Sequence, residues 1–474
     1  MGKMMGNLRR HILILAGLLM WAISPVVAAQ DGETDPADLP EAGQDPAATT
    51  TIDARLIFDR PVPLVDGLDP VYEQDPFAAL MDSGDTEALL MQRIADIGEH
   101  QAAIVDMELQ GGAWNPSLAE ELLTMGALFQ EQGTHVEAID TLSRAMQINR
   151  INHGLDSLQQ VPVVEKLIQS YLAQGEWGRA DQYQSYLYYV QRKAYGNNDP
   201  RMIPVLNSLA RWNLQLFQVG YGEAVGMRLT NAYSLFKAAS QIVNLHFGAD
   251  DERYVNYLKE MAGSAYLVSR NRGLIEEASR PEYRSVQAMY AERMRQIDPV
   301  NAQGYREGEE ALRSIADYYE KRGDMVPQHA RALADLGDWY LIFERRRAAA
   351  EQYQLAYDLL SNLENGQQLI DELFGKVVPL PAFSGTVDEL NLNPVLVETE
   401  GRELRSGYAD VVVEVNNYGL VSNVEVTSAE LTEEDARIHT LLRRKVRSSV
   451  FRPKIESGEM VRSDGNHFRY RYWY

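Results

Sequence analysis

The sequence predicts a mostly α protein, a helical solenoid followed by a small α+β module of ββαβ order. Three observations predict it. The middle of the chain matches itself at a fixed offset, its apolar residues recur with helical spacing, and from about residue 377 the apolar period drops to two. The 474 residues leave room for two or three domains. With 45 Lys and Arg against 68 Asp and Glu, the net charge of −23 repels nucleic acid and anionic lipid. A hydrophobic content of 45% is enough for a sizeable core. Cysteine is absent, which excludes thiol catalysis, disulfides, Cys-based zinc sites, iron–sulfur clusters and a lipidated Cys.

At the N-terminus, Lys3, Arg9 and Arg10 precede the apolar run Ile12 to Ile23, and Val27-Ala28-Ala29 follows Pro25. Charged, apolar and small-residue zones in that order predict a signal peptide over 1–29, cleaved near Gln30, and export to a periplasm. The run of 12 residues falls short of a bilayer span, which takes roughly 20. The alternative is an uncleaved helix that anchors the chain in the inner membrane. Residues 30–85 read as an acidic, proline-rich linker: between 30 and 76 there are 12 acids against Arg55 and Arg60. Such a stretch buries too little apolar area to offset its ordering entropy and serves as a tether. A docking peptide around Ile52 to Val65 is the other reading of it.

Residues 86–365 carry the repeats. At an offset of 42, Gly133 meets Gly175, Ala138 meets Ala180, Gly154 meets Gly196, Pro162 meets Pro204 and Leu167 meets Leu209. The third unit slips by ten, with Gly196 meeting Gly248, and an insertion near Gly220 explains the slip. Each unit reads as two antiparallel helices. Ser117 and Glu120 have capping-box spacing ahead of the stripe Leu118, Leu122, Met125 and Phe129, and a second helix starts near His135. Gly126, Ala138 and Ala145 stand where helices approach closely. The sharpest unit runs from Leu333 to Leu359, with Leu336, Gly337, Tyr340, Ala349, Tyr353 and Ala356 alternating small and large. These positions resemble the tetratricopeptide repeat family. The resemblance implies a superhelix whose concave side binds extended peptides or partner helices, and it implies no catalysis. Tyr186 and Tyr189 are the candidate partner-binding residues of that groove, with packing between repeats as their other reading.

From 377 to 474 the pattern becomes strand, turn, strand, helix, strand. Tyr408 to Val415 and Leu420 to Thr427 alternate about Asn416-Asn417-Tyr418-Gly419. Thr432 precedes a helix that buries Ile438, Leu441, Leu442 and Val446, and a last strand spans Asn466 to Tyr474. Val411 to Val415, Gly419, Val421, Val424, Val426 and Ser428, then Phe451, Pro453, Gly458 and Val461, resemble the C-terminal domain of the TonB energy-transducer family. That resemblance implies docking of outer-membrane receptors by strand addition to a sheet edge, whose unpaired backbone groups form a ladder with little sequence demand. The terminal strand is the candidate edge. Arg469, Arg471 and Trp473 are then candidate contacts to the guest peptide, or else the solvated face of an amphipathic strand. Pro379, Pro381 and Pro394 mark a seam across which the two parts should fold separately.

The combined expectation is a periplasmic interaction scaffold, or an accessory factor of TonB-type outer-membrane transport. Its partners would be envelope proteins or peptides, outer-membrane receptors among them. The membrane-anchored energy transducer is the alternative. None of the eight histidines pairs with another at i, i+4, and no Gly-x-Ser-x-Gly or phosphate-loop pattern occurs. No catalytic residue, cofactor or metal site is expected.

Overall fold

The computed structural model describes residues 57–58, 61–64, 87–293, 304–383, 406–427 and 433–473. The expected leader, most of the linker, Pro394, Thr432 and Tyr474 lie outside them. The first long helix is α1, Glu87–Gly111, and paired helices follow it. These are α2 and α3 (Leu118–Glu131, His135–His153), α4 and α5 (Val161–Ala173, Trp177–Tyr195), and α6 and α7 (Met202–Gln218, Gly226–Phe247). Next come α8 (Glu252–Arg270), the short α9 and α10 (Arg272–Ala278, Arg284–Arg293), α11 (Tyr305–Arg322), α12 and α13 (Val326–Ile342, Arg346–Ser361) and α14 (Gly366–Phe374).

The repeat is legible in the backbone. Gly154, Gly196 and Gly248 each cap the second helix of a unit, with φ of 89°, 85° and 86° and ψ of 165°, 163° and 165°. Side chains other than glycine rarely adopt that conformation, so glycine recurs there for a backbone reason. The slip in the third unit is not one loop insertion. Helix α6 has 17 residues against 13 in α4, and α7 has 22 against 19 in α5, so the extra length is shared with the connection 219–225. The capping box at Ser117 is also corrected: its side chain makes no cap hydrogen bond, and Asn115 Oδ1 accepts from the Ser117 amide at 3.1 Å instead.

Small residues set the helix spacing. A Cβ on Gly126 would lie 2.6 Å from Leu142 Cγ, and one on Gly337 would lie 2.5 Å from the Tyr353 ring. Leu118, Leu122, Leu142, Ile148 and Leu167 form the core of the early repeats, and Phe236, Trp339, Tyr353 and Phe374 are fully buried in the later ones. Each buried Leu or Phe contributes roughly 1.5–3 kcal/mol, shared between its own helix pair and the adjacent units.

The terminal module adds short strands. β1 and β2 are Ile57–Phe58 and Val62–Pro63, and β3 is Val378–Pro379. β4 (Ser406–Val415) and β5 (Val421–Thr427) form the expected hairpin, followed by α15 (Glu433–Ser448), β6 (Phe451–Arg452), β7 (Lys454–Glu456), β8 (Glu459–Val461) and β9 (Ser463–Trp473). β9 starts three residues before the expected Asn466. The main sheet is antiparallel and ordered β1-β9-β4-β5, with β2 also on β9. Val411, Val413, Phe468, Tyr470 and Tyr472 point to a core that Ile438, Leu442 and Val446 of α15 close.

The two sides of the proline seam pack against each other. Phe383 meets Tyr266 and Trp339 edge-on, at centroid distances of 6.5 and 5.5 Å, and with Ile455 it belongs to the buried core of the solenoid. A Cβ on Gly419 would lie 2.9 Å from Leu341 Cδ2. The seam is a packed interface.

Candidate functional site

The terminal strand is not a free edge. β4 pairs with β9 on one side, from Ser406 opposite Trp473 to Val415 opposite Ser463. On the other side lies a strap taken from the segment read as linker. Ile57 and Phe58 are opposite Trp473 and Tyr472, and Val62 and Pro63 are opposite Arg469 and Phe468. The Leu64 amide donates to the His467 carbonyl at 2.9 Å. The expected open edge at 466–474 is thereby corrected: within the sheet β9 is an inner strand. Ile57–Phe58 and Val62–Pro63 lie within the Ile52 to Val65 segment, whose remaining residues are outside the described ones except Pro61 and Leu64.

The three expected guest contacts on β9 have occupations within the sheet. Arg469 forms a two-point ion pair with Asp410, its cross-strand neighbour, at 2.7 and 3.0 Å. Arg471 is only 4% exposed, not solvated, and its guanidinium lies 5.9 Å from the ring centre of Tyr408, the residue opposite. Trp473 takes part through its backbone, opposite both Ile57 and Ser406. Cross-strand pairs of this kind stiffen a sheet face.

In the solenoid, Tyr186 and Tyr189 separate by role. The Tyr186 hydroxyl donates to the Leu155 carbonyl at 2.7 Å and lies 2.6 Å from Gln160 Oε1, with the Arg150 guanidinium 4.9 Å over its ring. It ties one repeat to the next. Tyr189 is 40% exposed, and Lys193 lies beside its hydroxyl at 3.3 Å. Tyr189 and Tyr188 share a cavity of about 230 Å³ with Arg192, Asn213, Arg228 and Tyr290. Tyr188 also borders two further hollows. Asp181, which also lines this cavity, takes two hydrogen bonds from Arg228, each 3.1 Å, and one from the Trp212 indole at 2.9 Å. The cavity lining therefore combines the Asp181–Arg228 ion pair with the rings of Tyr188, Tyr189 and Tyr290.

A second polar cluster, missed from the sequence, sits at the seam. Arg452 on β6 reaches α12, where Nε and Nη2 donate to Asp338 at 2.7 and 2.5 Å, and Nη2 lies 3.3 Å from Asp335. Its Nη1 donates to the Leu373 carbonyl, and the Tyr353 hydroxyl donates to Asp338 at 2.8 Å. Burial opposes the charge on Arg452, yet Asp338, Asp335 and Tyr353 together outweigh burial and hold the guanidinium more firmly protonated. Burial pushes the Asp335 carboxyl up to about 7, against the pull of Arg452. Burial also raises the Tyr353 hydroxyl well above its ordinary range. The two acids, three residues apart, stand on one face of α12. That spacing was the available signal, but a partner 114 residues further on cannot be read from it.

Among the described residues, no group of three His, Asp or Glu side chains is placed to hold a metal ion, and no helix is long and apolar enough to cross a membrane. No protein-family model matches the chain, and no curated protein matches it.

Proposed function

We propose that the protein is a peptide-binding scaffold of the cell envelope. It engages extended segments of partner proteins at the β9 side of its terminal sheet and along the groove of its helical repeats. The observation that carries the reading is the strap: this sheet side takes a segment some 400 residues distant in sequence and pairs it antiparallel through backbone groups. A surface that accepts Val-Pro-Leu by its backbone places few demands on side chains, which suits a receptor of varied extended peptides. The resemblance to the TonB C-terminal domain points the same way and suggests a place in TonB-type outer-membrane transport, with the chain as accessory and not as transducer. The aromatic cavity at Tyr189 supports a second contact in the repeat groove.

The test is site-specific photocrosslinking in intact envelopes, from His467 beside the strap and from Tyr189 in the groove. Crosslinks from His467 that map to an extended segment of an envelope protein are expected. Crosslinks confined to Tyr189 would leave the groove as the binding site and remove the sheet from the reading.

A further inference from the structure

The strap occupies the place where a guest strand would lie. Resting on the strand-addition reading above, we propose that the strap is a resident and exchangeable cap: a partner gains the β9 ladder only by trading places with it. Three features of the pairing argue for exchange.

The first is brevity. β9 has 11 residues, and the strap meets it in two stretches of two residues each. From Phe58 to Val62 the strap advances four residues, while β9 goes back three, from Tyr472 to Arg469, so the strap carries one residue too many between its stretches. A peptide in continuous register would form more hydrogen bonds over the same length.

The second is phase. Opposed residues in an antiparallel ladder alternate between hydrogen-bonded and non-hydrogen-bonded pairs. The Leu64 amide faces His467, so Val62 faces Arg469 in the same way, and Pro63, opposite Phe468, turns its nitrogen away from β9. A proline there costs no bond to β9. It also removes a donor from the outer side of the strap, where another strand would otherwise attach. The strap thus occupies part of the ladder and ends the sheet there, which is the behaviour required of a cap.

The third is burial and tethering. Residues 61–64 are half-buried, whereas their neighbours Phe468, Tyr470 and Tyr472 on β9 are sealed in the core. The module keeps its own core when the strap leaves. Being tethered, the strap competes at an effective concentration on the order of 1 mM, so a free peptide must overcome an intramolecular rival. The chemical class of the partner follows: an extended segment with free amides at the positions of Val62 and Leu64, and indifferent to proline between them.

The experiment uses the full chain and a fluorescein-labelled peptide of its own residues 55–66, read by anisotropy. Val62→Pro with Leu64→Pro deletes the two inward-facing amides of the 62–64 stretch and opens that part of the edge, leaving only the pairing of Ile57 and Phe58 with Trp473 and Tyr472. This variant is expected to bind the peptide at least about 10-fold more tightly than the parent, and a peptide carrying the same two prolines should bind neither. Hydrogen exchange at the Arg469 amide should quicken in the variant while the Tyr470 amide stays protected, which shows that the sheet remains folded. Equal affinity in parent and variant, or no binding to the variant, overturns the cap. The crosslinks from His467 decide the partner reading on their own: a capped edge without envelope crosslinks removes the partner, and crosslinks without peptide exchange remove the cap.

Discussion

Arg452→Met is the sharpest perturbation of the seam. The side chain is 3% exposed and donates to Asp338, which is 0% exposed, as well as to Asp335 and the Leu373 carbonyl. Methionine roughly matches the volume but leaves a buried carboxylate whose only remaining side-chain donor among these contacts is the Tyr353 hydroxyl. Removing one partner of a buried ion pair costs about 3–5 kcal/mol, more than the net worth of the pair, because the abandoned charge stays desolvated. The loss should fall on the seam, so guanidinium unfolding followed by far-UV circular dichroism should split into a low transition for the terminal module and a later one for the repeats. Arg462→Met is the control: its pair with Glu414 has Arg462 60% exposed, and its denaturation midpoint should match the parent's. Changing Asp338 and Arg452 together to Leu and Met should recover much of the loss, since neither charge is then left alone. A loss below about 1 kcal/mol in the Arg452 variant, with a single unshifted transition, would refute the idea that this pair holds the module to the solenoid.

Asp335 supplies a pH test with a definite sign. Its folded-state pKa stands above the ordinary 3.8, at about 7, so its contribution to stability is full below about pH 4 and is lost as the pH rises through 7. Because 16% of its side chain stays in contact with solvent, Asp335→Asn should restore on the order of 1–2 kcal/mol at pH 8 and flatten the melting temperature between pH 4 and 8. Gly337→Ala drives a methyl to 2.5 Å from the Tyr353 ring and should lower stability by about 1–3 kcal/mol in thermal melts. Arg228→Met leaves Asp181 with the Trp212 indole but without its two guanidinium bonds, and should cost about 3 kcal/mol together with a red shift of tryptophan emission. Arg471→Ala should cost about 2 kcal/mol, above the value for an exposed charge, because the side chain is buried; a chemical denaturation midpoint equal to the parent's would overturn that.

What the sequence revealed and what it hid divide along sequence distance. The helices announced themselves because their signals are local: the glycine at 154, 196 and 248 marks a backbone geometry, and Ala138, Ala145 and Gly126 mark close approach within one hairpin. The hairpin about Asn416 to Gly419 and the buried face of α15 were legible for the same reason. The long-range pairings carried no local signal. Arg452 stands in a strand beside Pro453 and looks like any basic residue of a turn until α12 presents Asp338 to it. The strap is the harder case. Its composition argues for a solvated tether, since the acids around it and the prolines within it are the residues that keep a segment from building a core. Yet a strand added to an existing edge needs no core of its own. It draws hydrogen-bond partners from β9 and burial from a face already built, so two short paired stretches suffice where an independent hairpin would not hold. The prolines that count against a strand in isolation are what make this one suitable as the last strand of a sheet: they remove donors from the side on which growth would continue. Read for what it builds alone, the segment is a linker; read against a preformed edge, the same residues describe a stop.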